Sequence, residues 1–174
     1  MKRLLLTMGL ILAAAATRLL PHPPNVTPLA AMALAGGIYL DKRFSLIVPI
    51  AAMFLSDIFL GFHQTMPFVY GSFLLTGLVG WMVRRYRSVA WIAGAAIASS
   101  TLFFVVTNFG VWILDSGAFY PKSLGGLTAC YVAAIPFFRN TLLGDLFYTA
   151  VVCGAFELAD RILPAASASR VSNS

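Results

Sequence analysis

The chain has 174 residues, of which 60% are hydrophobic and only 10% charged, against roughly 25% charged in soluble domains. So few charges cannot cover the surface of a soluble fold, and the composition implies an integral membrane protein. The net charge of +6 sits in small groups between apolar runs, the pattern of topology determinants rather than of a nucleic-acid-binding face, so no nucleic-acid partner is expected.

The first apolar run, 4–20, follows "MKR". Its basic start, apolar middle and small residues before Arg18 imitate a secretory signal; it is read as a retained first span. Gly9, Ala13 and Thr17 recur on it at every fourth position, a spacing that lets helices approach closely. They form either an internal packing face or a docking face for another membrane subunit. Next comes "RLLPHPPNVTPLAA", residues 18–31, with His22 and Asn25 inside it. Proline breaks helix interiors and donates no backbone hydrogen bond, and a simple turn needs fewer of them. A loop stiffened in this way loses little entropy on gripping a solute.

The run 28–40 is short, about 20 Å as a helix, and needs its flanks or an off-centre position to serve as a span. Its pairs Ala31/Ala35 and Ala33/Gly37 repeat the small-residue spacing, again for internal packing or for docking. Runs 44–62, 67–83, 88–113 and 141–163 complete six spans, with Pro49 expected to kink the third. Between the last two lies "SLGGLTACYVAAIPFF", 123–138. It is expected to form a short helix on or dipping into one membrane face, ended by Pro136. The fold class is thus an all-α integral membrane bundle of six transmembrane helices. Residues 1–163 form a single transmembrane domain and 164–174 a disordered tail.

Charge sets the expected orientation. "MKR", "DKR" (41–43), "RRYR" (84–87), Arg161 and Arg170 hold nine of the twelve basic residues. The positive-inside rule places them, and both termini, on the cytoplasmic side of a membrane that the chain crosses repeatedly. A seventh crossing by 123–138 would put Arg161 and Arg170 outside.

With that topology the polar residues gather at the outer face. Asp57 and His63 lie in "SDIFLGFHQT" (56–65), Asn108 and Trp112 in "TNFGVW" (107–112), and Tyr120 in "SGAFYPKS" (116–123). Arg139, Asn140 and Asp145 lie in "RNTLLGD" (139–145). Each has a plain explanation: a local cap or pair for Asp57, a neighbouring partner for Asp145, a backbone carbonyl for Asn108, an interfacial aromatic belt for Trp112 and Tyr120, solvent for His22. As a set they are harder to dismiss, because carboxylates within apolar helices are costly and mark function by default. The expectation is a preorganised outer pocket. Its first wall is His22 and Asn25; its second is Asp57, His63 and Tyr70. Asn108 and Trp112 supply hydrogen bonding and stacking, and Tyr120, Tyr131, Arg139, Asn140 and Asp145 close it. Catalytic signatures are weak: no Gly-rich phosphate loop and no HExxH occur, so no enzyme is expected. His22, His63 and Asp57 suggest a metal only by composition. Cys130 and Cys153 form no metal-binding spacing and are read as buried thiols.

The stretches "LPHPPNVTPLAAMALAGG", "SDIFLGFH", "FFVVTNFGVW" and "YPKSLGGLTACYVAAIPFFRNTLLGD" resemble a bacterial family of small uncharacterised membrane proteins. That family is similar to the S-components of energy-coupling-factor (ECF) vitamin transporters. The resemblance implies a six-helix S-component-like bundle with no intrinsic cofactor that binds a vitamin or metal ion at its outer side. It also implies docking on a transmembrane subunit with two ATPases through small residues of the first helix, here Gly9, Ala13 and Thr17, where the usual pair is alanine–alanine. Solitary cobalamin transporters look closest, which would put His22 and Asp57 in contact with the ligand and make cobalamin the transported solute. Where some of those proteins carry a cobalt-ligating cysteine, this sequence offers Tyr70 or His63, and imidazole also suits such metals. The rival expectation is an accessory or structural membrane subunit that holds a partner protein and transports nothing. A cavity separates the two: the transporter has one lined by Asp57, Asn108 and Asp145, whereas the accessory subunit satisfies those residues internally.

Overall fold

The computed structural model describes residues 12, 15–20, 25–40 and 42–162. Gly9, Ala13 and His22, and the 164–174 tail, lie outside the described residues. A helical segment at 15–19 is followed by α1 (Leu29–Tyr39), α2 (Lys42–Leu60), α3 (Met66–Val83), α4 (Val89–Leu114) and α5 (Leu124–Ile162). No strand occurs among the described residues.

Local chemistry sets the boundaries. Gly61 ends α2 with a φ of 94°, a left-handed conformation that glycine adopts without strain, and its N–H closes on Asp57 O at 2.9 Å. Pro67 stands in the first turn of α3, where its missing N–H costs nothing. Ser88 caps α4 by accepting the Trp91 N–H at 3.4 Å. The helices alternate between two ends of the bundle. Segments 25–28, 61–65 and 115–123 share one, the loop end. The turn after Tyr39, the 84–88 connection and the close of α5 share the other, the basic end.

α1 is the centre. Eight of its eleven residues are buried, walled by α3, α2, α5 and α4. A helix apolar on all sides is a core helix, and at about 16 Å it is far shorter than a bilayer core. Its small residues serve internal packing. A Cβ placed on Gly37 would stand 2.2 Å from Gly77 O, and one on Gly80 would stand 2.2 Å from Leu34 O. The α1–α3 crossing is a backbone-to-backbone contact that only glycine permits. Ala31, Ala33 and Ala35 are fully buried, so this face is used within the chain.

Among the described residues, three helices are long and apolar enough to cross a membrane: Met66–Val83, Val89–Leu114 and Leu124–Ala159. Large side chains such as Phe54, Phe59, Leu143 and Phe147 are exposed on the outside of the bundle, as lipid contact requires and water does not favour. The helix of the expected second span is too short to cross alone, and the described apolar stretch of the third is Ile47–Leu60.

One expectation fails. Residues 123–138 do not form a separate short helix ended by Pro136. They are the first half of α5, which runs 39 residues through Pro136. Proline removes one backbone hydrogen bond, but the other residues of so long a helix keep theirs, and transmembrane helices tolerate such interruptions. Pro136 itself faces outward. At about 58 Å, α5 exceeds the roughly 30 Å hydrocarbon core, so it tilts or projects beyond it. It still leads from the loop end to the basic end, so the alternation of ends that the charge pattern requires is kept. Pro49 likewise sits inside a continuous α2.

Candidate functional site

The loop end is organised around Asp57, which is 1% exposed. Both of its oxygens are taken. Arg18 Nη1 donates to Oδ1 at 2.5 Å, and Tyr70 Oη donates to Oδ2 at 2.8 Å. The same guanidinium nitrogen reaches Ser56 Oγ at 2.6 Å and Met53 O at 3.4 Å. Three elements are thereby tied together: the 15–19 segment, α2 and α3. A buried carboxylate demands such partners, because an unpaired charge out of water is prohibitively costly. The Arg18 side chain keeps 16% of its surface exposed.

Arg18 borders a cavity of about 360 Å³ between the loop end and the core. Its polar lining is Arg18, Asn25, Thr27, His63, Thr141 and Asp145; Leu29, Met53, Val69, Phe73 and Phe103 form apolar walls. A smaller chamber of about 190 Å³ adjoins it, shares Asn25, Val69, Phe103 and Thr141, and adds Thr107 and Asn108. Asn25 has a φ of 65°, a left-handed turn that asparagine tolerates better than most residues. The next residue, Val26, packs against Gly144 of α5. Asp145 is 4% exposed and accepts a hydrogen bond from Ser100 Oγ at 2.7 Å. Asn108 spends its Nδ2 on Phe104 O at 2.8 Å, the plain role open to it from sequence, and still lines the smaller chamber.

The expected residues thus divide. Asn25, His63 and Asp145 meet at the larger cavity and Asn108 at the smaller. Asp57 and Tyr70 stand behind the wall and hold Arg18. His63 is exposed, with Nδ1 3.1 Å from Thr65 Oγ1. Trp112, Tyr120, Tyr131, Arg139 and Asn140 line neither chamber. Trp112 Nε1 donates to Pro121 O at 3.1 Å, and Lys122 bonds Trp112 O and stands 5.1 Å from its ring centroid. Tyr120 belongs to the same turn, where Asp115 accepts the N–H groups of Gly117, Phe119 and Tyr120 at 2.9, 3.3 and 3.0 Å. Those bonds, Tyr120 first, hold the Asp115 carboxyl below its ordinary pKa. Tyr131 donates to Val105 O at 2.7 Å beside a shallow groove on α4 and α5. Arg139 is exposed, and Asn140 and Thr17 are half-buried.

Arg18 is a residue of the candidate site that is not among those expected from the sequence. A signal for it exists: with Lys122 and Arg139 it is one of three basic residues outside the cytoplasmic set. A cation at the wrong end of an apolar run calls for a buried partner. Among the described residues no group of three His, Cys, Asp or Glu side chains could hold a metal. Cys130 and Cys153 are free and buried.

The chain belongs to DUF6580, a family of unknown function, which it matches over residues 1–166. No curated protein and no solved structure matches it.

Proposed function

We propose that this DUF6580 protein is a multi-pass protein of the bacterial cytoplasmic membrane that binds a small vitamin-like solute at its loop end for uptake. The basic end faces the cytoplasm with both termini, following the positive-inside rule. One observation carries the reading: a cavity of about 360 Å³ whose polar lining comes from three separate segments, 15–19, 25–28 and 61–65, and from α5. An accessory subunit needs no such space. The volume lies at the small end of ligand pockets, roughly 300–1,000 Å³, and so favours a solute smaller than a corrinoid. Cobalamin would require the two chambers to open further.

In this reading Asp57 and Tyr70 are positioning residues that aim Arg18 into the wall. Asn25, Asn108, Thr141 and Asp145 meet the solute. Energy for release inward comes from a separate module, such as an ECF-type transmembrane subunit with ATPases docked on the first helix, or from the protein acting alone.

The test is a thermal-shift screen of detergent-purified protein against vitamins, corrinoids and divalent metals, repeated with Asp57→Ala. A solute that binds the native state raises its apparent stability by mass action. Stabilisation of the wild type that Asp57→Ala loses supports the reading. No shift from any compound turns it toward the accessory subunit.

A further inference from the structure

The charge balance of the larger cavity narrows the solute, on the premise that the cavity is a solute site as proposed above. Three of its lining residues are titratable or charged: Arg18, His63 and Asp145. Arg18 is already neutralised by Asp57 at 2.5 Å, the ion pair found among the described residues. His63 is exposed at the rim and engages Thr65. Asp145 is different. It is buried, its hydrogen-bond partner is a serine, Ser100, at 2.7 Å, and none of the ion pairs among the described residues includes it. The α4 group bonded to it is the neutral hydroxyl of Ser100. The α1 residues packed on α5 are apolar, Leu34, Ala35 and Ile38 among them. A buried carboxylate is retained where something pairs with it.

Aromatic walls point the same way. Phe73 and Phe103 both line the cavity, with ring centroids 5.5 Å apart and planes tilted by 53°. Aromatic rings in a cavity wall suit a cation, which the ring quadrupole attracts, more strongly when water is excluded. A metal ion would want several oxygen or nitrogen ligands at once, and the described residues offer no such group. We infer that the cavity takes a small organic cation, an ammonium or a cationic heterocycle, whose charge sits at Asp145 between Phe73, Phe103 and the acceptor oxygen of Thr141.

Binding of choline and thiamine to the purified full chain, by calorimetry, tests this against two controls: 3,3-dimethylbutanol, the uncharged isostere of choline, and the anion biotin. The wild type is expected to bind at least one of the cations, with the neutral isostere weaker by about tenfold or more. Asp145→Asn keeps the shape and the Ser100 hydrogen bond but removes the charge; it should weaken cation binding by about tenfold to a hundredfold, the range of a charge-assisted contact. Asp145→Glu should recover most of it, and also serves if the Asn variant does not fold. Unchanged cation affinity in Asp145→Asn, or binding of the neutral or anionic probe in preference to the cations, overturns the cation assignment and leaves the solute site standing. If no probe of any charge binds, and the broader vitamin screen is also silent, the solute site falls and the cation with it.

Discussion

The two ends of the bundle each bring together a tyrosine, an arginine and a carboxylate, to different effect. At the loop end Tyr70 and Arg18 both donate to Asp57. At the basic end Tyr39 Oη donates to Glu157 Oε1 at 2.8 Å, while the Arg87 guanidinium lies 4.9 Å from the Tyr39 ring centroid. Tyr39 is also stacked on Phe156, with centroids 4.9 Å apart and planes 4° from parallel. Asp57 is fully buried and Glu157 half-buried. The neighbouring spaces differ as well. The basic-end groove, about 410 Å³, is walled mostly by Val89, Ile92, Ala93, Leu146 and Ala150, whereas the loop-end cavity carries six polar side chains. Burial decides what a tyrosine–carboxylate–arginine set does. Buried, it becomes a lock that fixes one arginine in a wall. Half-buried, it ties two helix ends and lets water share the load.

The largest expected effect breaks the lock. Arg18→Ala leaves Asp57 buried without its cation and should cost about 3–5 kcal/mol of stability, read as a drop in thermal unfolding temperature in detergent. Replacing both partners, Arg18→Met with Asp57→Leu, should recover much of that loss, because a buried pair is worth little more than an apolar pair of similar volume. Solute retention should not return with it. A double variant that still retains solute would remove Arg18 from the site.

A second break lies at the α1–α3 crossing. Gly37→Ala puts a methyl 2.2 Å from Gly77 O, where only backbone can yield, and should cost about 1–3 kcal/mol. Solute affinity per folded molecule should be preserved, since Gly37 lies toward the basic end. Equal losses in affinity and stability would mean that the two ends are coupled through α1.

A hydroxyl comparison sharpens the contrast. Tyr70→Phe leaves one oxygen of a buried carboxylate short of a partner and should cost about 1.5–3 kcal/mol; Tyr39→Phe leaves a half-exposed carboxylate that water can reach and should cost about 1 kcal/mol or less. The same chemical unfolding series measures both. A Tyr39 effect equal to or greater than that of Tyr70 would defeat the burial argument.

These differences mark where the sequence is legible. The apolar runs gave the helices, because nothing but a helix buries its own backbone in lipid. The misreading came at Pro136, where a local rule written for water was applied to a long helix whose other residues keep their backbone hydrogen bonds. Asn25, His63, Asn108 and Asp145 were legible as polar residues placed where apolar ones are cheaper. The Arg18–Asp57 pair was not, since 39 residues separate the partners and only the fold brings them together. Trp112 at the end of α4 and Tyr120 in the loop after it are expected at the pocket from their place at the outer face. Asp115, directly after α4 ends at Leu114, gathers the N–H groups of Gly117, Phe119 and Tyr120 into a turn instead, and Trp112 bonds that turn at Pro121.

That turn yields the smallest and most local prediction. The N–H groups of Tyr120, Gly117 and Phe119 stabilise the ionised Asp115 carboxyl and depress its pKa. A depressed carboxylate binds fewer protons folded than unfolded, so its contribution to the turn is complete above the ordinary carboxylate pKa of about 4 and is lost as pH falls through the lowered value. Trp112, bonded to Pro121 of the same turn, is placed to report the change. Its fluorescence, read in a variant with Trp81 and Trp91 replaced by Phe, should stay constant down to about pH 4 and shift below it. Asp115→Asn should flatten that titration, because an amide oxygen can keep some of the N–H bonds but carries no charge to lose. Neither the acid shift nor the Asn substitution should alter the Arg18–Asp57 lock, whose partners belong to other elements. If the acid transition of Trp112 survives in Asp115→Asn, the proton that opens the turn binds elsewhere, and the turn is not held by this carboxylate.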